Sequence, residues 1–239
     1  MGRNLPDGRR EGLNDPARPP PLHDHAAFVR AETRLRPVPH ASEISLHVAD
    51  EATPLWSRTE EELAEVGLPP PFWAFAWAGG QALARHLLDH PEIVRGRRVL
   101  DVGSGSGLVA IAAMKAGAAS ARAVDVDRFA LAAIALNAAA NGVAVDASGA
   151  DPIGRPRPPV DLVTVGDLFY ERDLATRLLA WLDGFLADGV PVLIGDPGRS
   201  YLPRARLVAL ASYAVPVTRD LEDAEIKTST VWRLVPAAG

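Results

Sequence analysis

Residues 99–113 read VLDVGSGSGLVAIAA, a strand-like start, a turn with three glycines and an apolar run that suits a helix. A strand that runs through such a turn into a helix is half of a βαβ unit, and the downstream sequence repeats the rhythm. The segments RRVLDVG, ARAVDVD, PVDLVTVGD and VPVLIGDPG read as strands, with a short one near 143–147. Between them GLVAIAAMKAG, RFALAAIALNAAANG and RDLATRLLAWLDGFLADG read as helices, and GQALARHLLDHPEIV precedes the first strand. Strands separated by helices of this length pair in parallel through right-handed crossovers. The expected fold is therefore α/β, a Rossmann-like, mostly parallel doubly wound sheet. LPRARLVALASYA reads as a further helix, and AVPVTRDLEDAEIKTSTVWRLV as two strands around an acidic loop, an antiparallel hairpin at the C-terminal edge.

Three regions are expected. Residues 1–25 are rich in Pro and Arg and read as a disordered tail. Residues 26–78 read as a lead-in packed on the core domain: SEISLHVAD alternates like a strand, LWSRTEEELAEVG reads as a short helix, and LPPPFWAFAWAGG is stiff with proline and rich in aromatics. Residues 79–239 form the ligand-binding core. Trp73, Phe75 and Trp77 alternate as an extended segment with one buried face would.

At 239 residues and 48% apolar composition, one sizeable domain is expected. The formal net charge of −5 argues against a general nucleic-acid binder. The chain has no cysteine, so thiolate metal sites and a thiol nucleophile are excluded. His86 and His90 stand four apart on the first core helix without a carboxylate to complete a metal site, and read as a solvated face. The N-terminal stretch lacks the apolar core of a secretory signal, and no run reaches the roughly twenty apolar residues of a membrane helix; a cytoplasmic protein is expected.

The glycine turn narrows the ligand. Gly103 and Gly105 let the backbone approach a ligand, and Gly107 allows close packing of the following helix. A dinucleotide fingerprint would require glycine at 108, where the chain has leucine. The pattern D-x-G-x-G-x-G that begins at Asp101 instead resembles the first motif of seven-strand S-adenosylmethionine-dependent methyltransferases. An acid is then expected about twenty positions on, to accept from ribose hydroxyls. Asp125 stands there, with Asp127 as second choice. A tight βα connection without a ligand is the alternative. Asp151 either reaches an adenine amine or caps its loop, and Asn137 reads as structural.

After the fourth strand comes GDLFYE. Methyltransferases of base amines and glutamine amides typically carry [DN]-P-P-[YFW] at this place, and the chain lacks both prolines. Asp167-x-x-Tyr170 resembles the D-x-x-Y motif of seven-strand protein-lysine methyltransferases. Together with PPPFWAFAWAGGQALARHLLDHP, DVGSGSG, NAAANGV, IGDPGRSYLP and LEDAEIKTSTVWRL, it resembles the electron-transfer flavoprotein β-subunit lysine methyltransferases and their bacterial relatives over about residues 28–235. The resemblance implies S-adenosylmethionine as cofactor and a protein substrate, the flavoprotein β subunit, with neither nucleic acid nor membrane as partner. It implies cofactor contacts from Trp77, Asp101, Gly103, Ser104, Gly105, Gly107, Asp125, Val126 and Asp151. It implies catalytic roles for Asp167 and Tyr170.

The residues also support those roles on chemical grounds. A carboxylate suits an amine that becomes cationic, and an aromatic face adds roughly 0.5–2 kcal/mol per contact. The bland alternative makes Asp167 the N-cap of the next helix, although Asp173 could cap it instead. Trp77 and the Gly79-Gly80 helix start are either core packing or a place for the methionine carboxylate, which free N–H groups would favour. Asp196 and Arg199 line the substrate cleft or form a plain turn, and Trp232 reads as core. Other readings are a small-molecule or ribosomal-protein N-methyltransferase on the same fold, a non-catalytic cofactor- or protein-binding module and, more remotely, an NAD enzyme.

Overall fold

In the computed structural model, the described residues are 24–49, 70–217 and 226–237, together with Leu55 and Leu63. Residues 1–23 of the expected tail lie outside them. So do the acidic loop 218–225 and the helix expected near 55–67, save Leu55 and Leu63, which are helical and buried.

The core sheet has seven strands: β3 (Arg98–Val102), β4 (Ser120–Val124), β5 (Asp146–Ser148), β6 (Leu162–Gly166), β7 (Val192–Asp196), β8 (Leu207–Pro216) and β9 (Ile226–Leu234). Their order is β5-β4-β3-β6-β7-β9-β8. β3 to β7 pair in parallel, and β9 runs antiparallel between β7 and the edge strand β8. The chain builds outward from β3 through β4 to β5, then returns to place β6 on the other side of β3. That reversal makes the carboxyl ends of β3 and β6 the topological switch point, where open α/β sheets bind ligands.

Side-chain direction explains why β3, β6 and β7 lack a solvent face. Leu100, Val102, Val163, Val165, Val192 and Ile194 point into one core, shared with α5 (Arg172–Ala187) through Leu178, Leu182 and Phe185. Val99, Leu162 and Leu193 point the other way, towards Leu83 and Leu87 of α2 (Ala78–Asp89). A strand covered on both faces reads as a continuous apolar run. α3 (Leu108–Lys115) is buried at every position from Leu108 to Ala113 because α2 and a separate hairpin enclose it. That hairpin is β1 (Arg34–Val38) and β2 (Ala41–Val48), which puts Val38, Ile44 and Leu46 against α3 and α4 (Arg128–Ala140).

Several expectations differ from the structure. LPRARLVALASYA is not a helix: a short 3-10 turn at Arg204–Arg206 leads into the ten-residue strand β8. Its pairing with β9 slips between Ala209 and Ala211, leaving Leu210 as the extra residue of a bulge. The slip breaks the period-two pattern, and the Ala/Leu/Arg content favours a helix locally. Pairing along β9 overrides that preference. Ahead of β1, α1 (His25–Glu32) begins where the tail is expected to end, capped by Asp24 accepting from the Ala27 N–H at 3.0 Å. Its Phe28 packs against Phe129. Phe72–Ala74 is a 3-10 turn rather than an extended segment, with Trp73 stacked on Phe129.

His86 does not lie on a solvated face. It is buried, with Nδ1 3.0 Å from the Tyr213 hydroxyl, while His90 stays half-exposed. Among the described residues, no cluster of three His, Cys, Asp or Glu could hold a metal, and no helix is long and apolar enough to cross a membrane.

Candidate active site

A cavity of about 620 Å³ opens at the switch point, lined from β3, β4, β6, the Pro70–Trp77 segment and the loop after β7. It includes the expected cofactor and catalytic residues except Gly107, which stands behind the turn as the residue before α3, and of the candidate cleft pair it includes Arg199 but not Asp196.

The glycine turn forms the cavity wall. Gly103, Gly105 and Gly107 all have positive φ, a region that an L side chain rarely adopts. A Cβ on Gly103 would also collide with the Leu168 side chain, so glycine there lets the turn lie directly on the Asp167–Tyr170 segment. Beneath the turn Asp101 is fully buried, accepting from Ser104 Oγ and, at 2.8 Å, from Thr164 Oγ1. Burial pushes its pKa up to about 6 against these donors. With both contacts going to the protein, the structure makes Asp101 the support of the turn.

At the end of β4, Asp125 accepts from the Gly105 N–H at 2.8 Å and the Asp127 N–H at 3.0 Å. These bonds fix the carboxylate at the cavity edge and leave acceptor sites, since a carboxylate takes about four hydrogen bonds. Asp127 instead caps α4, accepting from the Phe129 N–H at 2.8 Å. Val126, 68% exposed, presents an apolar surface beside Asp125. Asp151 caps its loop, Oδ1 accepting from the Ile153 N–H at 2.9 Å, while Oδ2 pairs with Arg177 at 3.1 Å. Asn137 is structural. It is buried, donates to the Ser106 carbonyl at 2.8 Å and accepts from the His47 N–H at 2.7 Å, pinning the hairpin to the glycine turn.

The four residues of Asp167-Leu168-Phe169-Tyr170 take four directions. Phe169 is wholly buried against α5, Leu168 meets Gly103, and Tyr170 stands half-exposed at the rim, 5.8 Å from the Phe72 ring. Asp167 turns inward, with φ +55, the one positive φ at a non-glycine among the described residues. Such conformations cost of order 1–3 kcal/mol and persist where the surroundings enforce them. Oδ2 accepts from the Gly80 N–H at 2.8 Å, and Oδ1 from Arg199 Nη2 at 2.9 Å. Burial, opposed by Arg199 and reinforced by Asp196, raises the Asp167 pKa to about 7.

Neither expected residue caps α5. Glu171 does, accepting from the N–H groups of Asp173 and Leu174 at 2.8 Å each, which leaves Asp167 outside the helix. The α2 start also differs from expectation, because the Gly80 N–H is given to Asp167 and not held open for a carboxylate ligand. Trp77 donates Nε1–H to the Phe72 carbonyl at 2.8 Å, which fixes its ring at the cavity. The Arg199 guanidinium lies 5.5 Å from the centre of that ring. Asp196 makes a turn after β7, accepting from the Gly198 and Arg199 N–H groups at 2.6 and 2.7 Å. Trp232 is partly buried against the α5 core. Phe72 also lines the cavity, although no sequence pattern singles it out beyond an aromatic that follows a rigid run of prolines.

The sheet order and the glycine turn define the fold of the seven-strand methyltransferases. The solved ribosomal protein L11 methylase of Lactobacillus delbrueckii subsp. bulgaricus shares it, with a TM-score of 0.50 and 23% identity over 67% of this chain and 81% of its own. A family profile described as ribosomal protein L11 methyltransferase (PrmA) matches residues 83–163. The electron transfer flavoprotein beta subunit lysine methyltransferase of Xenopus laevis is 39% identical over 216 residues, 88% of this chain and 87% of that protein. That of Rattus norvegicus is 43% identical over 172 residues, 70% of this chain and 68% of that protein. The chain belongs to the electron transfer flavoprotein beta subunit lysine methyltransferase family.

Proposed function

We propose that this protein transfers a methyl group from S-adenosylmethionine to a lysine of the electron transfer flavoprotein β subunit, with Asp167 as the catalytic carboxylate. The observation that carries the assignment is the placement of Asp167. It is a buried carboxylate on strained backbone at the switch point, facing a cavity walled by Trp77 and Tyr170. The substrate follows from the names of the relatives, which match this chain at about two fifths of the aligned residues.

The cavity residues fit the cofactor. The Gly103–Gly107 turn offers backbone without side chains, Asp125 offers acceptors to a ribose diol, and Val126 offers an apolar surface to a base. Trp77 and Asp151 line the same cavity, with Asp101 and Ser104 supporting the turn. The cofactor supplies an electrophilic methyl on a sulfonium. The protein's part is to bring a neutral lysine amine into line with that methyl and to stabilise the positive charge that the amine acquires. Asp167 is suited to accept from the amine and to balance that charge. Tyr170 and Trp77 offer π faces to the cationic product. The amine's proton leaves to water, so no protein base need remove it.

The test is to incubate the purified protein with labelled S-adenosylmethionine and the electron transfer flavoprotein β subunit, then locate label by peptide mass spectrometry. Label on a lysine of that subunit is expected, and its absence with an intact substrate overturns the assignment. The profile match over 83–163 favours ribosomal protein L11 as the competing substrate, so that protein belongs in a parallel reaction.

A further inference from the structure

We infer that Arg199 is a positioning residue for methyl transfer, the fixed counter-ion that favours the carboxylate form of Asp167 and aims it into the cavity. This deepens the assignment of Asp167 as the catalytic carboxylate and rests on it.

The backbone turn and two side-chain contacts place the guanidinium. The turn carrying it is tied by Asp196 Oδ1, which accepts from the Gly198 and Arg199 N–H groups at 2.6 and 2.7 Å. The guanidinium lies against the Trp77 ring at 5.5 Å, a geometry in which the face attracts a cation. Nη2 then donates to Asp167 Oδ1 at 2.9 Å, with the Arg199 side chain 22% exposed and that of Asp167 9%. An ion pair so shielded is screened less than one on the surface.

Asp167 needs such a partner. It faces the Gly80 N–H from α2, Arg199 from the loop after β7, and Asp196 from the end of β7. Burial and the Asp196 charge both favour the protonated form, while Arg199 and the Gly80 N–H oppose them. Asp196 lies 1% exposed; its Oδ1 accepts the two turn N–H groups, while its Oδ2 has no hydrogen-bond partner among the described residues. A protonated Asp167 can neither balance a lysine cation nor accept through both oxygens. Arg199 is the cation that opposes burial and the second acid together.

The experiment follows Asp167 directly in the intact protein. Its side-chain carboxyl carbon is labelled, assigned by loss of the signal in Asp167→Asn, and titrated by NMR in Arg199→Gln and Arg199→Lys. Arg199→Gln should raise the Asp167 midpoint by one pH unit or more, about a tenfold change in proton affinity. Arg199→Lys, which keeps the charge, should recover most of that change. In kinetics, Arg199→Gln should lower kcat more than it raises KM for the protein substrate, and the loss should shrink as pH rises. An unmoved midpoint in a folded Arg199→Gln protein, or a lysine variant as displaced as the glutamine one, overturns the inference. Full turnover in Asp167→Asn would overturn the catalytic assignment instead, a result separable from either NMR outcome.

Discussion

The backbone N–H of Gly80, in the first turn of α2, donates to Asp167 Oδ2 at 2.8 Å across 87 residues of sequence. This bond joins the helix that covers one face of the sheet to the acid at the end of β6. The close approach that it reflects accounts for the glycine at 79. A Cβ on Gly79 would collide with the Gly195 carbonyl and stand 2.5 Å from Asp167 Oδ2. Gly79→Ala should therefore force α2 off β7, costing about 1–3 kcal/mol in chemical denaturation. It should impair turnover as well, through the displaced carboxylate.

Asp167→Asn keeps the shape of the side chain and removes its charge. Turnover should fall by about 10²–10³, the range for losing one preorganised group that stabilises developing charge. Calorimetric affinity for S-adenosylmethionine should stay near wild type, because the asparagine leaves the Asp125 and glycine-turn contacts in place. Unchanged turnover would remove Asp167 from the mechanism.

The same variant should be more stable than wild type at neutral and higher pH. Folding raises the Asp167 pKa from 3.8 to about 7, mainly through burial. Between those values the folded state holds a proton that the unfolded state has released. Wild-type stability therefore falls as pH rises through that window, and Asp101, raised to about 6, adds a fall of the same sign. A tenfold change in proton affinity is worth about 1.4 kcal/mol, so Asp167→Asn should gain about 2 kcal/mol or more near pH 8. The gain should vanish towards pH 4, at the foot of the window. Thermal unfolding across pH reads this directly.

Tyr170 contributes a rim contact with Phe72 from a side chain left half-exposed. If its ring is the working part, Tyr170→Phe should lose less than about tenfold in kcat/KM, and Tyr170→Ala clearly more, since an aromatic contact to a cation is worth about 0.5–2 kcal/mol. Equal losses in the two variants would assign the role to the hydroxyl.

Asp125→Ala removes the acceptor for two backbone N–H groups and the one offered to a ribose. Cofactor affinity should weaken by about 1–3 kcal/mol, roughly 5- to 150-fold, the cost of a lost partner for a buried polar group. Asp127→Ala should act differently, destabilising α4 by about 1 kcal/mol as a lost N-cap with a smaller effect on affinity.

The parallel strands and their helices were legible because burial on both faces writes itself as uninterrupted apolar runs such as Val99-Leu100 and Leu162-Val163. The glycine turn and Asp125 were legible because backbone conformation and strand end fix their positions locally. β8 was not, since its strand form depends on β9 and its bulge at Leu210 hides the alternation. The buried state of His86 was hidden too, because Tyr213, which meets it, lies 127 residues away. For α5 the sequence offered Asp167 and Asp173 as caps, yet Glu171 reaches the free N–H groups.

By itself, then, the sequence determined the doubly wound order of elements, the glycine turn and the family to which the chain belongs. Each of those depends on short-range pattern: periodicity, glycine at positive φ, and motif spacing. Only the tertiary structure decided the state of Asp167. The charge of that carboxylate depends on burial, on Gly80 from α2 and on Arg199 and Asp196 at and beyond the end of β7. Electrostatic balance is a sum over neighbours in space, and those neighbours are brought together by the crossover that sets β6 between β3 and β7.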